Sequence, residues 1–154
     1  MDTSIETMNK VFSARPRCWM NDTELGILRA SGTKIGQRCY IDRSVSLDRH
    51  QPHMITIGDD VVLTGQGVFL THDASPQIAG LPVKVGHIKI GNKVFIGYRS
   101  IMLCGNSIGD NCIVGAGSVI TNDIPAGEVW AGSPAKKICT LEEYREKHAI
   151  KHNV

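Results

Sequence analysis

The sequence predicts an all-β solenoid, in which a parallel β-helix is followed by a C-terminal α-helix. The main observation is that large aliphatic residues recur every six positions through the second half of the chain. A period of six fits neither an amphipathic helix nor a simple alternating strand, but it fits short straight segments joined by tight corners. The repeat is longest at Ile90, Ile96, Met102, Ile108, Val114 and Ile120.

A second position of the repeat supports the same fold. The residue four places after each large aliphatic one is small or of moderate size, which suits a crowded corner, and glycine often follows the aliphatic residue directly. We expect the stacked turns to bury one continuous aliphatic column. The corner positions are Val94, Ser100, Asn106, Cys112 and Ser118, and the aliphatic register occurs earlier at Ile35, Ile41 and Leu47 and at Ile57, Leu63 and Phe69.

The composition of the 154-residue chain fits one folded domain and argues against several classes of function. A hydrophobic share of 42% supports a real core, and 17 basic against 15 acidic residues give no reason to expect a nucleic-acid partner. No apolar run is long enough for a membrane span, and the N-terminus lacks a signal pattern. Cysteines without paired short spacings predict free thiols and a cytoplasmic location; they are Cys18, Cys39, Cys104, Cys112 and Cys139.

The ends of the chain are predicted to cover the column. We expect a single domain in which residues 1–31 form an N-terminal cap segment, residues 32–138 form the coils, and residues 139–154 form a C-terminal helix and tail. A solenoid exposes its core at both ends unless such segments cap it. Thr140 and Glu143 have the spacing of a capping box, which predicts a helix start there.

The repeat is interrupted twice, and these interruptions are where function is expected. Leu47 and Ile57 are ten positions apart, and the gap between Phe69 and Ile90 is longer, with a predicted loop near residues 71–88. A regular coil needs no such insertions. Loops held by a rigid scaffold commonly carry binding and catalytic groups.

His72 lies at the entrance of the long loop, directly after a matching coil. A neutral imidazole there can accept a proton from a substrate hydroxyl, because its unperturbed pKa is near 6.5. From the residues alone, a surface histidine without a role is an equally good interpretation. The residues do not decide whether His50 and His53, in the first interruption, contact a substrate or are solvated loop residues, and they assign no role to His87 or Trp130.

Three stretches carry a resemblance to a known family. Residues 90–97 and residues 108–125 repeat the pattern of aliphatic residue, glycine and small polar residues, and Ala131-Gly132-Ser133-Pro134-Ala135-Lys136 is similar to a closing motif. Together they resemble the hexapeptide-repeat acyltransferases over about residues 32–138. The resemblance implies that the β-helix is left-handed, whereas parallel crossovers are usually right-handed.

The resemblance also implies an activity. The run Thr71-His72-Asp73 is similar to that of the sugar and xenobiotic O-acetyltransferase branch, in which a histidine at this place is the general base. The resemblance implies an acetyl-CoA-dependent O-acetyltransferase that acts on a sugar or glycan hydroxyl and forms a homotrimer. We expect the acetyl group to be transferred directly, without a metal. Asp48, in the first interruption, is our candidate for binding the acceptor hydroxyls.

The resemblance also implies which residues bind acetyl-CoA. An extended pantetheine arm can lie along a β-helix and bond to exposed backbone groups, and the resemblance implies contacts at Gly97, Tyr98, Ala116 and Thr121. Tyr98 departs from the smaller residue common in the family. Lys136 and Lys137 follow the last coil, where they can meet the CoA phosphates through charge-assisted contacts.

Other interpretations stay open or are disfavoured on specific grounds. An amino-sugar N-acetyltransferase, an acetyltransferase for serine or an antibiotic, and a non-catalytic scaffold are alternatives. A γ-class carbonic anhydrase would need three zinc-binding histidines, and His72 and His87 are badly spaced for that. Cys104 and Cys112 lie in the coil register, so a packing role is favoured over a nucleophile.

Overall fold

The computed structural model of the protein describes residues 19–151, without the side chains of residues 150 and 151. Cys18, most of the predicted N-terminal cap segment and the last three residues lie outside this part of the chain. Two α-helices flank the coils: α1 (Asp22–Ala30) and α2 (Leu141–Lys151). Between them run 16 short strands: β1 (Lys34–Ile35), β2 (Tyr40–Ile41), β3 (Ser46–Leu47), β4 (Ile55–Ile57), β5 (Val62–Leu63), β6 (Val68–Phe69), β7 (His72–Asp73), β8 (Lys84–Val85), β9 (Ile88–Ile90), β10 (Phe95–Ile96), β11 (Ile101–Met102), β12 (Ser107–Ile108), β13 (Ile113–Val114), β14 (Val119–Ile120), β15 (Glu128–Gly132) and β16 (Ala135–Thr140).

All the strands except β7 and β8 form the three faces of a left-handed parallel β-helix, which confirms the predicted fold class. The first face contains β1, β4, β9 and β12, and the third contains β3, β6, β11 and β14. The second face contains β2, β5, β10, β13 and β15, with β16 pairing antiparallel to β15 at its end. Each regular coil therefore uses three strands, one per face.

The predicted aliphatic column is the core. In the regular coils Ile90 pairs with Ile108 and Ile96 with Val114, so equivalent residues stack directly on one another. The second residue of each two-residue strand of the three faces points inward, because neighbouring side chains of a strand lie on opposite faces. All six residues of the long repeat are at most 2% exposed: Ile90, Ile96, Met102, Ile108, Val114 and Ile120.

The corners confirm the second position of the repeat. All five predicted corner residues are buried: Val94, Ser100, Asn106, Cys112 and Ser118. Ser100 Oγ donates a hydrogen bond to the Gly97 carbonyl at 2.8 Å, which satisfies a hydroxyl inside the corner. No side chain fits at Gly97, because a Cβ there would lie 2.4 Å from the backbone nitrogen of Ala116 in the next coil.

A helix with an N-terminal capping box lies at each end of the described coils. Asn21 and Glu24 form a capping box at the start of α1, whose Leu25 is buried against the column. At the other end, Thr140 and Glu143 form the predicted capping box, with the Glu143 amide 3.2 Å from Thr140 Oγ1. Strand β16 continues to Thr140, and the helix begins at Leu141, directly after the predicted cap residue.

The two interruptions of the repeat leave the β-helix at the same corner. The first loop (residues 48–54) follows β3, and the long loop (residues 70–87) follows β6, the strand stacked directly above it. Both loops connect the third face to the first face of the next coil. Because β3 and β6 are hydrogen-bonded neighbours, the insertions start side by side and bring their polar residues together.

Candidate functional site

The centre of the site is a contact between the two loops. Asp48 is the first residue after β3, and His72 begins β7 in the long loop. The Nδ1 atom of His72 lies 2.6 Å from Oδ2 of Asp48. The His72 side chain is 37% exposed, whereas that of Asp48 is 3% exposed. The imidazole is therefore accessible while the carboxylate lies beneath it.

Thr71 and the backbone of the first loop hold the Asp48 carboxylate. Oδ2 accepts from the Thr71 amide at 3.0 Å and from Thr71 Oγ1 at 2.6 Å, and Oδ1 accepts from the His50 amide at 3.0 Å. Burial alone would raise the pKa of Asp48, but these hydrogen bonds and the one from His72 outweigh burial and hold the pKa well below its usual range. Asp48 is therefore ionised at neutral pH.

The ionised carboxylate determines which nitrogen of His72 carries the proton. A carboxylate only accepts hydrogen bonds, so a neutral His72 donates Nδ1–H to Asp48 and keeps the lone pair on Nε2. A histidine in this tautomer can take a proton from a substrate through Nε2. The resulting imidazolium would lie against a negative charge, which stabilises it.

His50 is a neighbour of His72 that the sequence did not reveal. Its ring lies edge-on to that of His72 with 5.5 Å between the centroids, and its Nδ1 is 3.4 Å from Oδ1 of Asp48. The side chain is 84% exposed. His53 lies farther along the first loop, in a single 3₁₀ turn, and His87 is exposed just before β9.

The long loop holds His72 through a small hairpin. β7 and β8 pair antiparallel, with His72 opposite Val85 and Asp73 opposite Lys84. Asp73 does not join the His72 cluster. Its carboxylate instead accepts from the Ser75 amide at 2.9 Å, a bond that lowers the pKa of Asp73. The tip of the loop exposes the apolar residues Ile78, Leu81, Val83 and Val85.

The structure brings three of the four backbone positions expected for CoA together. Gly97 and Ala116 stack in the corner between the second and third faces, and the Gly117 amide donates to the Tyr98 carbonyl at 2.7 Å. Ala116 and the Tyr98 ring are exposed. Thr121 lies at a different corner, after β14.

The two lysines of the closing motif have different surroundings. Lys136 is exposed on β16, whereas the ammonium group of Lys137 lies 2.6 Å from Oε1 of Glu128. Hydrogen bonding to Glu128 raises the pKa of Lys137, and the same bond lowers the pKa of Glu128. Trp130 Nε1 donates to the other oxygen of Glu128 at 2.7 Å, and its ring packs on the core.

Residues 19–151 contain no group of three metal-binding side chains and no helix long and apolar enough to cross a membrane. The four cysteines in this range are free thiols. Burial raises the pKa of the Cys112 thiol, which disfavours the thiolate that a nucleophile needs.

Comparison with protein families and curated proteins gives consistent matches. A family model described as the hexapeptide repeat of succinyl-transferase matches residues 87–122. Protein CapG of Staphylococcus aureus is 40% identical over 132 residues, which cover 78% of this chain and 73% of CapG. Galactoside O-acetyltransferase of Escherichia coli is 38% identical over 105 residues, which cover 61% of this chain and 51% of that protein. The matched region thus spans only about half of the latter relative.

Solved structures with the same fold include acetyltransferases. A hexapeptide-repeat acetyltransferase from Vibrio cholerae is 28% identical with a TM-score of 0.63, covering 71% of this chain and 63% of that one. A maltose O-acetyltransferase from Clostridium difficile is 27% identical with a TM-score of 0.57, covering 88% and 83%. A structure of the Vibrio cholerae acetyltransferase in complex with acetyl-CoA matches with a TM-score of 0.59 at 20% identity, covering 92% of each chain.

Proposed function

The chain belongs to the hexapeptide-repeat acetyltransferases, and we propose that it transfers the acetyl group of acetyl-CoA to a hydroxyl of a sugar or glycan, with His72 as the general base. The observation that carries the proposal is the 2.6 Å contact between His72 Nδ1 and the buried carboxylate of Asp48. It leaves Nε2 as the basic atom on a side chain that is open to solvent.

The proposed reaction is a direct transfer. Nε2 of His72 takes the proton of the acceptor hydroxyl as its oxygen attacks the thioester carbonyl. The tetrahedral intermediate collapses by breaking the carbon–sulfur bond, and the leaving CoA thiolate takes the proton from the imidazolium. Between these two proton transfers, Asp48 stabilises the imidazolium by accepting the hydrogen bond from Nδ1–H. Transfer through an acyl-cysteine is disfavoured because Cys104 and Cys112 are buried.

A hydroxyl acceptor fits this arrangement better than an amine. A hydroxyl is a poor nucleophile until a base removes its proton, whereas a neutral amine needs a base less urgently. Galactoside and maltose O-acetyltransferases among the matches support a sugar acceptor. The contacts of Asp48 within the chain favour a positioning role for it, and binding of sugar hydroxyls by Asp48 stays a prediction.

The proposal is tested with an acceptor screen that measures release of the CoA thiol from acetyl-CoA. Sugars matched at every position except one hydroxyl or amino group are compared, and the acetyl group is located by mass spectrometry and NMR. We expect O-acetyl products. Acetylation of amines alone would indicate the N-acetyltransferase alternative, and no transfer despite acetyl-CoA binding would indicate a non-catalytic scaffold.

In the proposed donor site, the pantetheine arm of CoA lies along the corner that contains Gly97, Tyr98 and Ala116 and extends to Thr121. Lys136 contacts the CoA phosphates. The acetyl-CoA complex of the Vibrio cholerae protein supports this donor. A cytoplasmic location, which fits the free thiols of the described residues, would give access to acetyl-CoA.

Lys136→Ala is expected to raise the KM for acetyl-CoA more than it lowers kcat, because a distant phosphate contact contributes similar binding in the ground and transition states. Steady-state kinetics with acetyl-CoA and acetyl-pantetheine, which lacks the nucleotide, test this. Acetyl-pantetheine should be nearly insensitive to the substitution. Lys137→Ala is the matched control, with a smaller expected effect because Lys137 already pairs with Glu128. An equal loss of rate with both donors would contradict the phosphate contact.

A homotrimer is proposed from the outer surfaces of the three faces. The outward positions of the first face are polar, whereas those of the second and third faces are mostly apolar. Two adjacent apolar faces suit packing against two neighbouring copies in a cyclic trimer. The outward residues that are not buried are Lys34, Thr56, Lys89 and Ser107 on the first face, Tyr40, Phe95 and Ile113 on the second, and Ser46, Val68, Ile101 and Val119 on the third.

Light scattering is expected to give about three times the chain mass of 16.8 kDa. Ile101→Glu on the third face should lower the measured mass, because it would place an unpaired charge in the interface. Lys89→Glu on the polar first face is the control and should leave the trimer intact. A wild-type monomer at micromolar concentration would contradict the proposal.

A further inference from the structure

An open cavity of about 350 Å³ lies beside the first loop, between α1 and the first coil. Its walls are mainly apolar, which suits the carbon face of a ring. The polar residues that line it are Ser31, Thr33, Asp48 and Arg49. The apolar walls are formed by Ile27, Leu28, Leu47 and Pro52.

The cavity is adjacent to the proposed base. Asp48 also lines the cavity, and its Oδ2 contacts His72 Nδ1 at 2.6 Å. One side chain therefore separates the cavity from the imidazole. His50, which follows Arg49 in the chain, has its ring 5.5 Å from that of His72. The first loop thus connects the cavity to the site of transfer.

Arg49 is the basic residue among those that line the cavity. It is exposed, and no ion pair or side-chain hydrogen bond joins it to any residue in the described part of the chain. Other arginines at this end are occupied: Arg29 donates to the carbonyls of Ile35 and Gly36, and Arg43 pairs with Glu24. Arg49 is thus available to a ligand.

Arg49 forms no ion pair with the acidic residue of the wall. Asp48 is the one acidic residue among those that line the cavity, and its oxygens already accept from Thr71, His72 and the His50 amide. Thr33 Oγ1, buried in the same wall, has no hydrogen-bond partner within the described structure. A buried hydroxyl without a partner is typical of a place where a ligand or a water molecule belongs.

We infer that this cavity binds the acceptor and that the acceptor carries an anionic oxyacid group, a carboxylate or a phosphate, held by Arg49. This inference rests on the proposed function. The planar guanidinium matches the two oxygens of such a group, and the apolar wall accepts the sugar ring beside it. The acceptor class is therefore an acidic sugar rather than a neutral one.

The test compares kcat/KM for three matched acceptors with saturating acetyl-CoA: methyl galactoside, methyl galacturonide and galactose 1-phosphate, and the equivalent glucose set. The wild-type enzyme should prefer at least one anionic form over its neutral partner by roughly ten-fold or more. The carboxylate and phosphate arms distinguish a uronic acid from a sugar phosphate.

Arg49→Gln should lower kcat/KM for the preferred anionic acceptor by roughly 10- to 100-fold and change the neutral one less than about two-fold. Arg49→Lys should recover part of the loss, because it keeps the charge without the planar fork. Lys34→Gln, which removes an exposed charge on the first face, is the control. An unchanged melting temperature confirms that Arg49→Gln is folded.

The outcomes separate this inference from the function it rests on. Equal use of neutral and anionic sugars, or an equal loss for both with Arg49→Gln, would overturn the inference and leave the acetyltransferase intact. Absence of transfer to every hydroxyl acceptor would contradict the proposed function itself.

Discussion

Replacement of His72 by alanine is expected to lower kcat by about 10²–10⁴, the usual contribution of a general base. Asp48 holds the imidazole through a 2.6 Å contact while its side chain stays 37% exposed. The folded state should persist, because His72 lies in a loop hairpin and not in the aliphatic column. Steady-state turnover with acetyl-CoA and the best acceptor from the screen measures the effect.

Two controls make the result specific to His72. The affinity for acetyl-CoA, followed as the concentration-dependent rise in melting temperature, should be nearly unchanged in His72→Ala. His87→Ala, an exposed histidine at the far end of the same loop, should affect kcat much less. If His72→Ala kept the wild-type kcat, or if His87→Ala lowered kcat equally, His72 would not be the general base.

The second large effect is expected for Asp48→Asn, which keeps the shape of the side chain and removes its charge. The variant should lose roughly 10²–10³ in kcat, because the imidazolium loses its stabilising charge and the amide can impose the wrong tautomer of His72. The double variant with His72→Ala should be little worse than His72→Ala alone, since the two residues act as one unit. Additive losses would mean that Asp48 acts independently, for example on the acceptor.

Asp48→Asn should also change how stability depends on pH. The folded pKa of Asp48 lies well below the unfolded value of about 3.9, so its stabilisation is present above that value and is lost as pH falls toward the folded pKa. Below pH 4, the free energy of unfolding of the wild type should fall by up to about 1.4 kcal/mol per pH unit because of Asp48. Asp48→Asn should lack this contribution to the slope. Urea unfolding at fixed protein concentration between pH 7 and pH 2 measures it, and identical slopes would contradict the assignment.

The aliphatic column and its corners could be predicted because both depend on a local period. Ile96 and Val114 occupy equivalent places in successive coils, and burial of such residues is the main stabilising contribution to a solenoid. The capping box of Thr140 and Glu143 could be predicted for the same reason, since it needs only four consecutive residues.

The contact between Asp48 and His72 could not be predicted from the period alone. The two residues are brought together by two loops of unequal length, and the paths of those loops depend on hydrogen bonds such as that from the Thr71 amide to Asp48. One signal was available: the insertions follow Leu47 and Phe69, which the repeat stacks directly on one another. His50 lies close to His72 for the same reason, because the stacking of Leu47 and Phe69 makes the two loops start side by side.

The most direct test of the site is the protonation of the His72 ring at neutral pH, since it needs no knowledge of the acceptor. Long-range nitrogen–proton correlation NMR, with His72→Ala to assign the signals, distinguishes the two tautomers. We predict that the neutral ring carries its proton on Nδ1, facing Asp48, with Nε2 unprotonated. A neutral ring protonated on Nε2 would contradict the account, because the atom that must accept the hydroxyl proton would already hold one.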